Sequence, residues 1–215
     1  AGENATGAEN TLVGQAAGSG LTTGTRNTIV GDQVGTGTIT GTSNTLVGFV
    51  GTGVSLTSGV ANVILGGGDV TSGSYNTLIT RGGLSLTTGS YNFLVGESAG
   101  KSITTGGHNI FLGSYSGQKR ASGSAHNIAM GFNALRGSLT ISSNTGTYNL
   151  AIGNYAGWVV DSGSNNILLG KQAGQTLTSG SNNIVIGVDA VVSSATVSNE
   201  ITIGTTSSSR FRLPG

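Results

Sequence analysis

The chain has 215 residues, of which 40 are Gly, one is Pro and none is Cys, and only 8% are charged, against about a quarter in an ordinary soluble domain. Nine basic residues face eight acidic ones, so the basic excess that neutralises phosphates is missing and nucleic-acid binding is excluded. Without Cys there is no disulfide framework, thiolate metal site or thiol chemistry. Low net charge speaks against disorder by self-repulsion, collagen fails on Gly period and Pro content, and no run of about 18 apolar residues is present to span a membrane as a helix. No secretory signal is visible. The chain opens on Ala1, so a processed product or a piece of something longer is expected.

Internal repetition sets the architecture and is read first. A block of Asn, three mostly apolar residues and Gly recurs as NTLVG at Asn10, NTIVG at Asn27, NTLVG at Asn44, NVILG at Asn62, NTLIT at Asn76 and NFLVG at Asn92. It continues as NIFLG at Asn109, NIAMG at Asn127, NLAIG at Asn149, NILLG at Asn166, NIVIG at Asn183 and EITIG at Glu200. These twelve copies are spaced by 17, 17, 18, 14, 16, 17, 18, 22, 17, 17 and 17 residues. Each Gly leads into a small-residue corner, as in ESAG ending at Gly100, NYAG at Gly157 and KQAG at Gly174. An aliphatic residue with Thr or Ser and Gly follows, as in LTTG at Leu21, LTSG at Leu56, ITTG at Ile103 and LTSG at Leu177. The longest unit, Asn127 to Asn149, carries RGSLTISSN, which reads as a loop bulging from one coil. Residues 1–204 read as one repeat domain. Residues 205–215, TTSSSRFRLPG, read as an exit segment toward a missing or cleaved C-terminal region and adjoining domains.

Units of this length are too short for helical hairpins. Their apolar segments are three to four residues long and rich in Val, Ile, Leu and Thr, which suits strands, and the Gly residues suit the turns. The predicted fold is all-β: a parallel β-solenoid or β-roll of about twelve 17-residue coils, each with two short strands. Coils about 4.8 Å apart would make a body about 55 Å long.

Stacking places like on like. Asn10, Asn27, Asn44, Asn62, Asn76, Asn92, Asn109, Asn127, Asn149, Asn166 and Asn183 would form a structural ladder of amides, each donating to one neighbour and accepting from the next. Glu200 breaks the column where a capping coil would differ. Within each block the third apolar position, from Val13 to Ile203, and the middle one, from Leu12 to Val185, point to opposite faces, and both are apolar. A two-strand coil buries one face alone, so the other calls for a partner. The expectation is an elongated homotrimer with that face on a central axis; the alternative is an intertwined triple β-helix.

Candidate sites are few. The residue before the ladder Asn is Tyr75, Tyr91, His108, His126 and Tyr148 in consecutive units, an aromatic stripe that reads either as a glycan- or receptor-binding surface or, favoured, as a stabilising stack. His108 and His126 lack the clustered partners a metal site needs, and no metal or other cofactor is expected. Asp32, Asp69, Glu97, Asp161 and Asp189 fall in no paired column, so glycoside cleavage has no carboxylate pair, and no nucleophile–His–acid spacing is present. No catalytic residue is expected. Arg81 and Glu97 share a column and read as a surface ion pair. Tyr155 and Trp158, after a Gly corner, read as packing in preference to a partner rim. The Thr57, Thr71, Thr87 and Thr104 column admits an ice-binding reading, interrupted by Asp161.

Repeats such as GSNNILLGKQAGQTLTSGSNNIVIG resemble the Gly- and Asn-rich repeats of phage tail fibres. The copies NIAMG, NLAIG and NIVIG are similar to the heads of trimeric autotransporter adhesins, whose shorter repeat coils into a left-handed β-roll trimer. NEITIGTTSSSRFRLPG resembles the junction that precedes a distal or self-cleaving chaperone domain in tail fibres. The resemblance implies a trimeric, extracellular, structural or adhesive role, on a virion or a bacterial surface, with a host glycan or protein receptor as partner. A ligand-free filament is the other reading.

Overall fold

A computed structural model describes residues 5–53, 56–81, 85–138, 140, 143–205 and 207; the rest of the exit segment lies outside the described residues. The strands among these residues are β1 (Thr11–Val13), β2 (Thr28–Val30), β3 (Thr45–Gly48), β4 (Val63–Gly66), β5 (Asp69–Val70), β6 (Thr77–Arg81) and β7 (Ser85–Leu86), then β8 (Phe93–Glu97), β9 (Ile110–Leu112), β10 (Ile128–Met130), β11 (Leu150–Ile152), β12 (Ile167–Leu169), β13 (Ile184–Ile186) and β14 (Ile201–Ile203). No α-helix occurs among the described residues.

Each Asn block supplies one strand of a single twelve-stranded parallel sheet, β1-β2-β3-β4-β6-β8-β9-β10-β11-β12-β13-β14. Pairing is like on like: Leu12 lies beside Ile29, Ile29 beside Leu46, Ala129 beside Ala151 and Val185 beside Thr202. The chain is a parallel β-solenoid of about 11 turns. Twelve repeat blocks bound eleven turns, because the last contributes a rung and no further coil.

Two conformational devices bracket the strands of the Asn blocks. The residue before the ladder position is left-handed in all the units, from Glu9 (φ 61°) through Tyr91 (φ 60°) to Asn199 (φ 62°). After most of these strands stands a Gly at positive φ, as at Gly113 (φ 128°), where a Cβ would fall 2.7 Å from the Gly131 carbonyl oxygen of the next coil; Thr80 takes that place in the unit of Asn76.

Among the described residues the second strand expected in each coil is mostly absent: β5 and β7 pair on that side, with one isolated bridge between Leu21 and Ile39. Elsewhere the segment stacks through clustered backbone bonds, as where the Thr87, Thr88 and Gly89 N–H groups all donate to Thr104 O at 2.8, 3.3 and 3.2 Å. A Gly every few residues keeps the run too short for a ladder.

The core is one pair of side chains wide. The middle strand residues Ile29, Leu46, Ile64, Leu78, Leu94, Phe111, Leu168 and Val185 are fully buried, and they meet Leu21, Ile39, Leu56, Leu86, Ile103 and Leu177 of the opposite segment, with Ala17, Ala99, Ala156 and Ala173 at the corner. The outer face carries two columns. One runs Thr11, Thr28, Thr45, Val63, Thr77, Phe93, Ile110, Ile128, Leu150, Ile167, Ile184, Ile201, and the other Val13, Val30, Val47, Leu65, Ile79, Val95, Leu112, Met130, Ile152, Leu169, Ile186, Ile203. Neither contains a charge, and Val13, Ile152, Ile201 and Ile203 are exposed.

Candidate functional site

The Asn column is a one-way amide ladder. The Oδ1 of each Asn accepts both the backbone N–H and the Nδ2–H of the next. Asn109 Oδ1 takes Asn127 N–H at 3.0 Å and Nδ2–H at 3.4 Å. Each amide also donates to a backbone carbonyl, as Asn109 Nδ2 does to Ser124 O at 3.0 Å. Asn27 through Asn183 are buried, and Asn10 is half-buried. A buried amide needs its full complement of partners, and among the described residues no buried side-chain nitrogen or oxygen lacks one. At the far end Glu200 N–H closes on Asn183 Oδ1 at 2.9 Å. The Glu200 carboxylate turns to the Ser193 N–H and hydroxyl and to the Thr202 hydroxyl. Those hydrogen bonds hold its pKa below the usual carboxylate value.

Tyr75, Tyr91, His108, His126 and Tyr148 form a continuous, exposed ring stack. Centroids are 5.0, 4.9, 4.8 and 4.6 Å apart and planes lie within 10° of parallel, the spacing of the coils themselves. Every inner ring has both faces covered by its neighbours, so only edges, hydroxyls and imidazole nitrogens reach solvent. Sugar C–H groups pack on ring faces, and the stripe offers these only at its two ends.

A second aromatic group stands at the post-strand corner of three successive coils. Tyr115, Phe132, Tyr155 and Trp158 meet edge to face, with centroids 5.9, 5.4 and 5.6 Å apart and planes at 85°, 78° and 85°. Tyr155 and Trp158, expected to be packing, pack against each other and also line an open cleft, with Phe132 39% and Trp158 38% exposed. Phe132 and Tyr115 were not singled out by the sequence reading. The signal was present, since each follows a strand-ending Gly by one or two residues, in a column other than the one before Asn. Tyr115 and Tyr155 are left-handed (φ 60° each) and half-buried. Tyr115 Oη donates to Glu97 Oε1 at 3.2 Å; that hydrogen bond, then the carboxylate's charge, raises the phenol's pKa.

Among the described residues the Arg81–Glu97 ion pair expected from their shared column does not form. The two residues are partners in the sheet, but Glu97 turns to the following coil. The ion pair found among the described residues is Arg26 Nε to Glu9 Oε2, 4.0 Å, fully on the surface.

Arg120 is the residue sequence reasoning missed altogether. It occupies the slot that holds Leu21, Ile103 and Leu177 elsewhere and is completely buried. Nη1 donates to Val160 O at 2.7 Å, Nη2 to Gly146 O and Nε to Ser124 Oγ at 3.2 Å. Burial pulls its pKa down to about 10, opposed by the charge of Asp161. The guanidinium reaches past Gly146 to the Val160 carbonyl of the following coil. Asn144 ties two neighbouring stretches together, its Nδ2 donating to Lys119 O and Ser138 O at 2.6 and 3.2 Å; the rest of the expected bulge, residues 139, 141 and 142, lies outside the described residues.

Among the described residues no three His, Asp or Glu side chains group as metal ligands. The Thr column spends its protons internally: Thr57 Oγ1 donates to Thr71 O at 3.0 Å and Thr87 Oγ1 to Thr104 O at 3.1 Å. No protein-family model, curated protein or solved structure matches the chain. Fold and ladder together define it as a parallel β-solenoid repeat protein.

Proposed function

We propose that this chain is a segment of an extracellular homotrimeric fibre, either the shaft or the receptor-binding part of a phage tail fibre. The observation that supports this reading is the charge-free outer face of the twelve-stranded sheet. At about 4.8 Å per strand and two side chains of width, the strip covers on the order of 500 Å², and two such strips together bury on the order of 1,000 Å², the lower size of a specific interface. Each strand presents two outward columns, one for each neighbour in a three-fold bundle. Covering them removes a continuous apolar patch from water.

Sedimentation equilibrium tests this. The expected mass is three times the 21.1 kDa chain, falling to one chain when Met130→Asp and Ile152→Asp place charges on the strip. A monomeric wild-type protein at micromolar concentration refutes the trimer. In a fibre, three copies of any weak surface contact combine by avidity. The Tyr75–Tyr148 stripe contributes ring edges to that surface. Unchanged host adsorption by an intact Tyr91→Ala, His108→Ala double variant assigns the stripe to structure alone.

A further inference from the structure

We propose that the cleft between Tyr115 and Trp158 is a saccharide-binding site that selects sugars bearing a carboxylate. Tyr115, Gln118, Phe132, Asn133, Arg136, Tyr155 and Trp158 line a cleft of about 350 Å³. Arg136 and Trp158 also wall a second cleft of about 470 Å³ that runs along Gly137, Ser138 and Val159. Both fall in the size range of small-ligand sites, and two clefts that share a wall fit a chain of sugar units better than one compact ligand.

The aromatic geometry differs from that of the stripe in the way that matters for sugars. Phe132 and Trp158 keep 39% and 38% of their surface exposed and line the cleft. An aromatic face packs against the C–H side of a pyranose. Polar groups stand beside these faces: the Gln118 and Asn133 amides and the Arg136 guanidinium. Arg136 is oriented by its Nε–H bond to Gln118 Oε1, 3.2 Å. Among the described residues Arg136 is the one charged side chain in the lining of either cleft; Glu97 and Asp161 stand behind it, bonded to Tyr115 and to the Ser138 N–H. A planar guanidinium pairs with a ligand carboxylate in bidentate fashion.

The site is held by backbone. Gly137 N–H bonds Trp158 O at 3.1 Å, Tyr155 N–H bonds Phe132 O at 2.8 Å and Lys119 N–H bonds Arg136 O at 2.8 Å.

Trp158 is the single tryptophan, so intrinsic fluorescence reads the site directly. The probes are tetragalacturonate, sialyllactose and the neutral maltotetraose, titrated into the intact protein with calorimetry in parallel. The expected result is a saturable blue shift with at least one acidic saccharide. Arg136→Gln should lose about tenfold to a hundredfold in affinity for it, the range of a charge-assisted hydrogen bond. Tyr155→Ala should abolish binding, with Phe132→Ala as the second variant should Tyr155→Ala fail to fold. Silence with all three saccharides overturns the assignment. So does equal binding of maltotetraose that Arg136→Gln leaves untouched, and so does a Trp158 emission already blue in the assembled protein and insensitive to every probe, which would put the cleft between copies. Sedimentation of the same samples keeps the outcome separate from the trimer's.

Discussion

Replacing Asn109 by Ala should be among the most damaging changes to this protein. The amide sits in the middle of the ladder and is fully buried. Its removal takes the acceptor from Asn127 N–H (3.0 Å) and the donor from Ser124 O (3.0 Å). Asn92 Oδ1 retains the Asn109 backbone N–H at 3.1 Å, so two groups lose their partner. At about 1–3 kcal/mol for each buried orphan, the cost is about 2–6 kcal/mol, toward the lower end where water enters the space. Urea unfolding followed by circular dichroism at fixed protein concentration measures it. Asn10→Ala, in a half-buried end coil free to fray, should move the global midpoint less. Asn109→Asp adds a pH test. The introduced carboxyl keeps an acceptor for Asn127 but, once ionised, confronts Ser124 O and Asn92 Oδ1 while buried, so its pKa in the folded state rises above that in the unfolded chain. Its stability should lie nearest that of the wild type below about pH 4 and fall as pH rises from there. A cost under about 1 kcal/mol for Asn109→Ala, or a pH-independent Asn109→Asp, would refute the buried-amide account.

Gly163→Ala should disrupt coil stacking, because the new Cβ lies 2.3 Å from Gly180 O, whereas Gly123→Ala meets nothing within 4 Å and should be neutral or stabilise by about 0.4–1 kcal/mol; melting temperatures separate the two. Arg120→Leu should destabilise by roughly 2–4 kcal/mol even though neighbouring coils carry an aliphatic residue there, since it strands Val160 O in the core; denaturant unfolding reads this directly. Glu200 has a lowered pKa in the folded state. Its contribution is therefore complete above the ordinary carboxylate range and lost as pH falls through the folded value. Glu200→Gln should flatten the acid limb of a melting-temperature profile between about pH 3 and 5, a small effect at so exposed a site.

Much of the fold is legible because the repeat is literal. Thr28-Ile29-Val30 lies on Thr45-Leu46-Val47 in space as it does when the units are written one under another. The column of Asn and the alternation about Ile29 or Leu168 both follow from that alignment. What escapes it depends on departures from the pattern or on direction in space. Arg120 is one charge in a unit reading QKRASG where others read LTSG, and nothing in the residue type says whether it turns in or out. The ring stack is foreseeable from Tyr75 to Tyr148, but the loss of its faces to mutual contact is a matter of angles. The Trp158 cleft needs Tyr115 and Phe132 to lean toward it from two other coils. Glu97 chooses Tyr115 over Arg81 through side-chain rotation that a column cannot record.

The unequal units carry a consequence of their own. Only 14 residues separate Asn62 from Asn76, and 22 separate Asn127 from Asn149, yet each interval advances the sheet by a single rung. Contour length and axial height are therefore uncoupled. The molecule works as a ruler whose graduations ignore whatever hangs off the side, so bulky cargo can be spliced into a corner while every other mark keeps its distance.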